Sequence, residues 1–305
     1  MLKRRDFLHH LSVSGSALLL GATGPSARAQ SVLKVQTLAA DTVLVSGGAC
    51  NVLVQRAGSG ELLVVDGGLQ QDAGPLLATI RSALGAGQVS TLINTHWHPE
   101  QTGLNTLIGN RETRIFAHAN TQQWLGTTIK RLREDTVYAP LPESARPNEI
   151  FYHYGDFRHG VSTVEYGLLR QAHTDGDMYV FLPEQNVLHA GGVLCTDGWP
   201  FLDWWCGGWI GGIADGLETL LGLADDRTVI IPASGPPIDR AQLQEFHDIY
   251  AELFDSVRTL FVKANTVEQT VAAKPAARWE ARFGPADAFI TQAHWSLIPH
   301  LTPDA

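Results

Sequence analysis

The sequence predicts an α/β protein, and three observations carry that expectation. Short β-rich runs separated by glycine turns fill residues 32–66. The hydrophobic period then changes from two to about 3.6 between Ala73 and Leu84. A β-rich run returns at Val89–Ile93 and leads into His96-Trp97-His98.

Each element follows from local pattern. Thr42–Ser46 is closed by Gly47-Gly48, Asn51–Gln55 by Gly58-Ser59-Gly60, and Glu61–Asp66 by Gly67-Gly68. That spacing reads as an antiparallel meander. Leu76, Leu77, Ile80 and Leu84 share a helical face, with Gly85 and Gly87 as the stop. Thr113–His118 reads as a strand and Asn120–Leu132 as a helix. Residues 135–160 are rich in Pro, Tyr and charge and read as a loop with short strands. Met178–Leu182 and Val187–Ala190 form the arms of a hairpin around Pro183-Glu184-Gln185-Asn186. Gly216–Ala224 is helical, and Thr228–Ile231 is a strand ending at Pro232. Helical spacing runs through 239–264, and Thr266-Val267-Glu268-Gln269 is a capping box for a shorter helix. With no linker and no fixed-period repeat, residues 30–305 are expected to form one domain with a C-terminal helical segment, 239–305.

The first 29 residues read as a twin-arginine export signal. Lys3-Arg4-Arg5-Asp6 is basic, Leu11–Ala22 is apolar, and Ala27-Arg28-Ala29 offers small residues before Gln30. A basic amphipathic helix is the other reading of these residues. The signal implies passage through the twin-arginine machinery, cleavage near Ala29 and a periplasmic or secreted product. Residues 1–29 hold four basic residues and one acid, so their removal takes the net charge from −9 to −12. An acidic surface argues against nucleic acid and anionic membranes as partners and says little about a small-molecule substrate, which only a family resemblance implies. No segment reaches the ~20 apolar residues of a membrane span. Cys50, Cys195 and Cys206 are too few for a disulfide framework, and any pairing among them stays open.

His96 and His98, two apart in extended chain, can face one point in space. Neutral imidazole is the commonest metal ligand. Glu100 follows, and His173 stands in His173-Thr174-Asp175-Gly176-Asp177. Trp199-Pro200-Phe201-Leu202-Asp203-Trp204-Trp205 concentrates tryptophan beyond Gly191-Gly192. Trp97, Trp199 and Trp204 could wall an apolar or ring-bearing substrate, or the segment could plug the mouth or pack the C-terminal helix.

Strand, helix, strand, His-x-His, then a third histidine resembles the metallo-β-lactamase superfamily. Asp66-Gly67-Gly68, Thr95–His98, Gly103, Phe116-Ala117-His118, His173–Asp177 and Asn186-Val187-Leu188 fall in the family's order. The resemblance implies a four-layer αββα sandwich with metals at the mouth between two sheets. It maps the first metal's ligands onto His96, His98 and His173. The second metal's positions read Glu100, Gln101, Gly192 and Ser234, of which only Glu100 keeps a carboxylate. One zinc ion is therefore expected. Three protein ligands leave a fourth position for a water whose pKa falls from ~16 to ~7, generating a hydroxide nucleophile. Glu100 would take the water's proton, reach the metal or serve as a helix cap. Asp66 and Asp177 would orient the imidazoles. The expected activity is hydrolysis of an ester-, lactone-, thioester- or lactam-like bond. An iron-dependent oxygenase fits less well, since it needs a carboxylate where Gly192 stands. A catalytically silent protein that binds a small molecule or partner through the tryptophan-rich mouth is the alternative.

Overall fold

Strand β1 (Lys34–Ala39) pairs antiparallel with β2 (Thr42–Ser46) and so extends the expected antiparallel meander, which β2 forms with β3 (Val52–Arg56) and β4 (Leu62–Val65). Helix α1 (Ala73–Leu84) then crosses over to β5 (Val89–Ile93), which pairs parallel to β4. Two single-turn helices follow, α2 (Pro99–Thr102) and α3 (Asn105–Ile108). Strand β6 (Arg114–His118) adds parallel to β5 and leads into α4 (Ala119–Leu125). A ribbon of β7 (Ile129–Lys130) and β8 (Val137–Tyr138) intervenes before β9 (Glu149–Phe151) completes a seven-stranded sheet. The second sheet has five strands: β10 (Tyr154–His159), β11 (Ser162–Leu168), β12 (Met178–Leu182), β13 (Val187–His189) and β14 (Val229–Ile231). Its first four strands are antiparallel and β14 joins parallel to β13. This computed structural model describes residues 32–110, 112–130 and 136–302, all within the compact unit Val32–Ala305. The export signal expected over 1–29 lies outside the described residues.

Alternation along the strands sorts the core into layers. Val43, Val45, Val52, Val54, Leu62 and Val64 pack against Leu76, Leu77 and Ile80 of α1. Their neighbours Leu44, Leu53, Leu63 and Val65 point the other way and meet Val164, Met178, Val180 and Leu182 of the second sheet. Leu188 and Ile230 face outward from that sheet onto α5 (Ile210–Leu223) and α6 (Arg240–Val262). The central strands are therefore buried on two faces, which is why strands such as β4 read as unbroken apolar runs. The result is the αββα sandwich.

The helical end is well capped. Asp239 accepts from the Gln242 amide while the Gln242 side chain accepts from the Asp239 amide. Thr266 and Gln269 do the same for α7 (Val267–Ala272). Three short helices, α8 (Glu280–Phe283), α9 (Asp287–Ser296) and α10 (Ile298–Leu301), complete the layer.

Three expectations change. The helix expected to reach Leu132 ends at Gly126, and Ile129 pairs with Tyr138 instead. Of residues 135–160, expected as a loop with short strands, the end from Tyr154 is instead one arm of a full hairpin, β10–β11, while β8 and β9 are the short strands. Helix α5 begins at Ile210, six residues before Gly216, despite Gly211 and Gly212. Those glycines are required by crowding: a Cβ would lie 2.4 Å from the Trp209 ring at 211 and 2.1 Å from the Gln171 carbonyl oxygen at 212.

Candidate metal centre

The residues singled out in the sequence gather at one end of the sandwich. His96 and His98 lie just beyond β5, His173 just before β12, and Gly192 and Ser234 just beyond β13 and β14. They border a cavity of about 370 Å³ together with Glu100, Gln101, Tyr138, Cys195 and Phe201. His96, His98 and His173 are buried, and their ligand nitrogens lie within 4.8 Å of one another. The ring centroids are 4.7–4.8 Å apart.

The loop holding the first two histidines is built rigidly. The Asn94 and Asn105 side-chain amides bond each other at 2.8 and 3.0 Å, tying the strand end to α3. Asp66, at the end of β4, has φ +64°, a left-handed conformation that disfavours a side chain. Its carboxylate accepts from the Thr95 amide and hydroxyl, each at 2.8 Å, which holds it there. The same hydroxyl lies 3.1 Å from His96 Nδ1. A proton on Nδ1 is then donated to Thr95, leaving Nε2 to ligate. Asp66 thus orients the imidazole through Thr95. Burial pushes its pKa up to about 8, against the two Thr95 bonds that pull it down. Burial, then the neighbouring histidines, holds the His96 pKa well below the usual imidazole range, so this ring stays neutral as a ligand must.

His98 is fixed by a residue that sequence reasoning missed. Its Nε2 lies 2.9 Å from Oδ2 of Asp203, a buried carboxylate inside the tryptophan-rich run. This leaves Nδ1 facing His173 Nε2 at 2.9 Å. The Asp203 amide donates to the His173 carbonyl at 3.0 Å, so one residue anchors both histidines. An acid amid aromatic residues was the only signal, and 105 residues separate it from His98. Asp177 acts on backbone rather than on an imidazole: its carboxylate accepts from the Thr174 amide and hydroxyl at 2.6 and 2.9 Å. That closes the turn carrying His173.

The remaining residues are placed unevenly. Glu100 is exposed in the first turn of α2 and borders the cavity. Gln101 is buried beside it, its amide oxygen without a hydrogen-bond partner. At Gly192 a Cβ would lie 2.5 Å from His173 Cδ2 and 2.9 Å from His96 Cε1. Ser234 donates to Asp197 at 2.7 Å. Cys195 borders the cavity, and burial pushes its thiol up to about 11. The aromatic wall is not the expected one. Trp199 stacks on Phe289 at 5.2 Å and donates to the Gly284 carbonyl. Trp204 packs against Trp205 and Trp295. Neither borders the cavity, nor does Trp97, which turns away from it; Phe201 and Tyr138 do. Of the spare histidines, His118 caps α4, and His189 sits behind the site, 4.0 Å from Asp66.

The donor set fits a divalent transition metal. Tetrahedral zinc at about 2.0–2.1 Å from each nitrogen needs nitrogens about 3.3 Å apart, within the spread found here. Two imidazoles have their second nitrogen held by an oxygen, the usual way such ligands are oriented.

A four-layer sandwich with three imidazoles converging at one end defines a metallo-hydrolase-like protein. Residues 45–261 match the family described as the metallo-beta-lactamase superfamily, and the chain belongs to that superfamily. It is similar to a metallo-beta-lactamase from Pontibacter korlensis (TM-score 0.58, 17% identity, 72% of this chain and 99% of that one). The sec-alkylsulfatase Pisa1 from Pseudomonas sp. matches with TM-score 0.68 and 15% identity over 86% of this chain and 50% of its own. The DIM-1 metallo-beta-lactamase matches with TM-score 0.55 and 18% identity over 72% of this chain and 97% of its own. At these identities the likeness is one of fold. Among curated proteins, none matches significantly.

Proposed function

We propose that this protein is an exported hydrolase that uses one zinc ion, held by His96, His98 and His173, to cleave an ester-, lactone-, thioester- or lactam-like bond. The observation that carries the reading is the convergence of three buried imidazoles on one point. At the positions that the family resemblance gives to a second metal stand Glu100, Gln101, Gly192 and Ser234, and the crowding at Gly192 leaves no room there for a ligating side chain. Bound zinc supplies a Lewis acid and a water acidified to a pKa of about 7. The chain supplies the rest. Asp203 and Thr95 hold the imidazoles in ligating orientation. Glu100, at the cavity edge, is the group assigned to proton transfer.

Export through the twin-arginine machinery rests on Arg4-Arg5 and the small residues before Gln30. The competing reading, a silent binder with a tryptophan-rich mouth, has less to stand on because Trp199 and Trp204 pack into the helical layer.

The test is metal analysis of the exported protein by mass spectrometry. About one equivalent of zinc, lost in His98→Ala, is the expected result; absence of any metal overturns the proposal. Turnover of an aryl ester and a chromogenic β-lactam should fall on Glu100→Gln. Unchanged turnover removes Glu100 from the mechanism.

A further inference from the structure

The stretch that carries two of the metal ligands has a second face. Alternation sends His96 and His98 into the metal cavity and Trp97, between them, into a neighbouring hollow of about 340 Å³. Trp97, Trp124, Leu125, Ile129, Tyr138 and Leu141 wall this slot, and no charged side chain among the described residues lines it. Polar groups such as Gln70, Gln71 and Thr127 complete the lining. Pro99 and Tyr138 border both spaces. Tyr138 stands edge-on to Trp97 with ring centroids 5.3 Å apart, and Trp97 to His98 at 4.6 Å. The slot and the imidazoles are therefore separated by about one aromatic ring.

We infer that this slot receives an apolar alkyl or aryl substituent of the substrate while the scissile bond lies at the histidines. The inference rests on the hydrolase reading and narrows it to substrates with an extended uncharged tail. Three arguments support it. An aromatic-lined concavity open to water is costly to leave wet and gains about 0.8 kcal/mol per methylene it buries. Its size is that of a small-ligand site. Its shared lining with the metal cavity lets one molecule occupy both. The described lining favours an uncharged substituent, because none of its side chains carries a charge that would compensate the desolvation of a charged one.

The test is a series of aryl esters from acetyl to octanoyl, with wild type, Ala139→Phe and Thr127→Phe. Both positions are exposed and border the slot, so the new ring fills it without entering the core. For wild type, kcat/KM should rise about fourfold for each methylene that enters the slot. In the variants that chain-length slope should collapse. Binding of a bromoalkyl amide to the metal-loaded protein gives a second readout. Bromine in the slot should quench Trp97 and Trp124 fluorescence, and either variant should abolish the effect. Ester turnover without chain-length dependence and without quenching overturns the slot but leaves the hydrolase. Quenching that the variants abolish, with no ester, thioester, lactone or lactam turned over, supports the slot and overturns the hydrolase.

Discussion

Two sets of residues border the same cavity and are built differently. His96, His98 and His173 are buried, and each is anchored: His96 by Thr95, His98 by Asp203, and the turn bearing His173 by Asp177 and the Asp203 amide. Glu100, Gln101, Gly192 and Ser234 form no comparable cluster. The first is exposed, the second is an amide, the third has no side chain, and the fourth is bonded to Asp197. Ligand geometry is costly to hold, because each imidazole must give up water and rotamer freedom. The supporting bonds stand where three nitrogens converge, and that contrast separates a ligating set from residues that merely line a space.

Gly192→Asp attacks the contrast most directly. If the second set lacked only a carboxylate, this substitution would add metal. The Cβ contacts at 2.5 and 2.9 Å mean it should instead displace the His173 and His96 rings. Mass spectrometry should show loss of the bound metal and no second equivalent; a clean gain to two equivalents would falsify the crowding argument.

His189 tests the support behind the ligands. It is fully buried, and its Nδ1 accepts from the Gly191 amide at 3.2 Å. Burial lowers its pKa to about 4. The unfolded chain protonates it near 6.5 and the folded chain does not, so the stability it gives is complete above that value. It is lost as pH falls from about 6.5 towards 4, up to about 3 kcal/mol. Urea midpoints at pH 7.5 and 5 should differ less in His189→Gln than in wild type.

Asp203→Asn probes a single anchor. The side chain keeps its shape but loses the charge that holds His98. Metal affinity, measured against a competing chelator, should fall about 10- to 100-fold, the usual effect of removing such a partner. An unchanged affinity would reduce Asp203 to a packing residue.

Much of the fold was legible because pattern and burial agree. The meander, α1 over Ala73–Leu84 and the β12–β13 hairpin emerged from glycine spacing and apolar period. The β10–β11 hairpin did not, because β10 alternates exposed and half-buried positions and carries Asp156 and Arg158 on an edge strand. The start of α5 was hidden because glycine has low helix propensity, whereas contact with Trp209 and Gln171 is what demands Gly211 and Gly212. The direction of the tryptophan side chains was equally invisible, since Trp199 faces α9 and Trp97 faces the second slot only after the layers close.

By itself the sequence determined the α/β class and the His96–His98 pair, both written in local spacing: alternation, helical period and His-x-His. The sandwich and His173 followed from the ordered motifs that resemble the superfamily. Tertiary structure alone decided which nitrogen of His96 and of His98 is left to ligate, that Gly192 admits no side chain, and that Asp203 holds His98 from 105 residues away. Those facts depend on distances between chain segments far apart in sequence, and no local pattern encodes such distances.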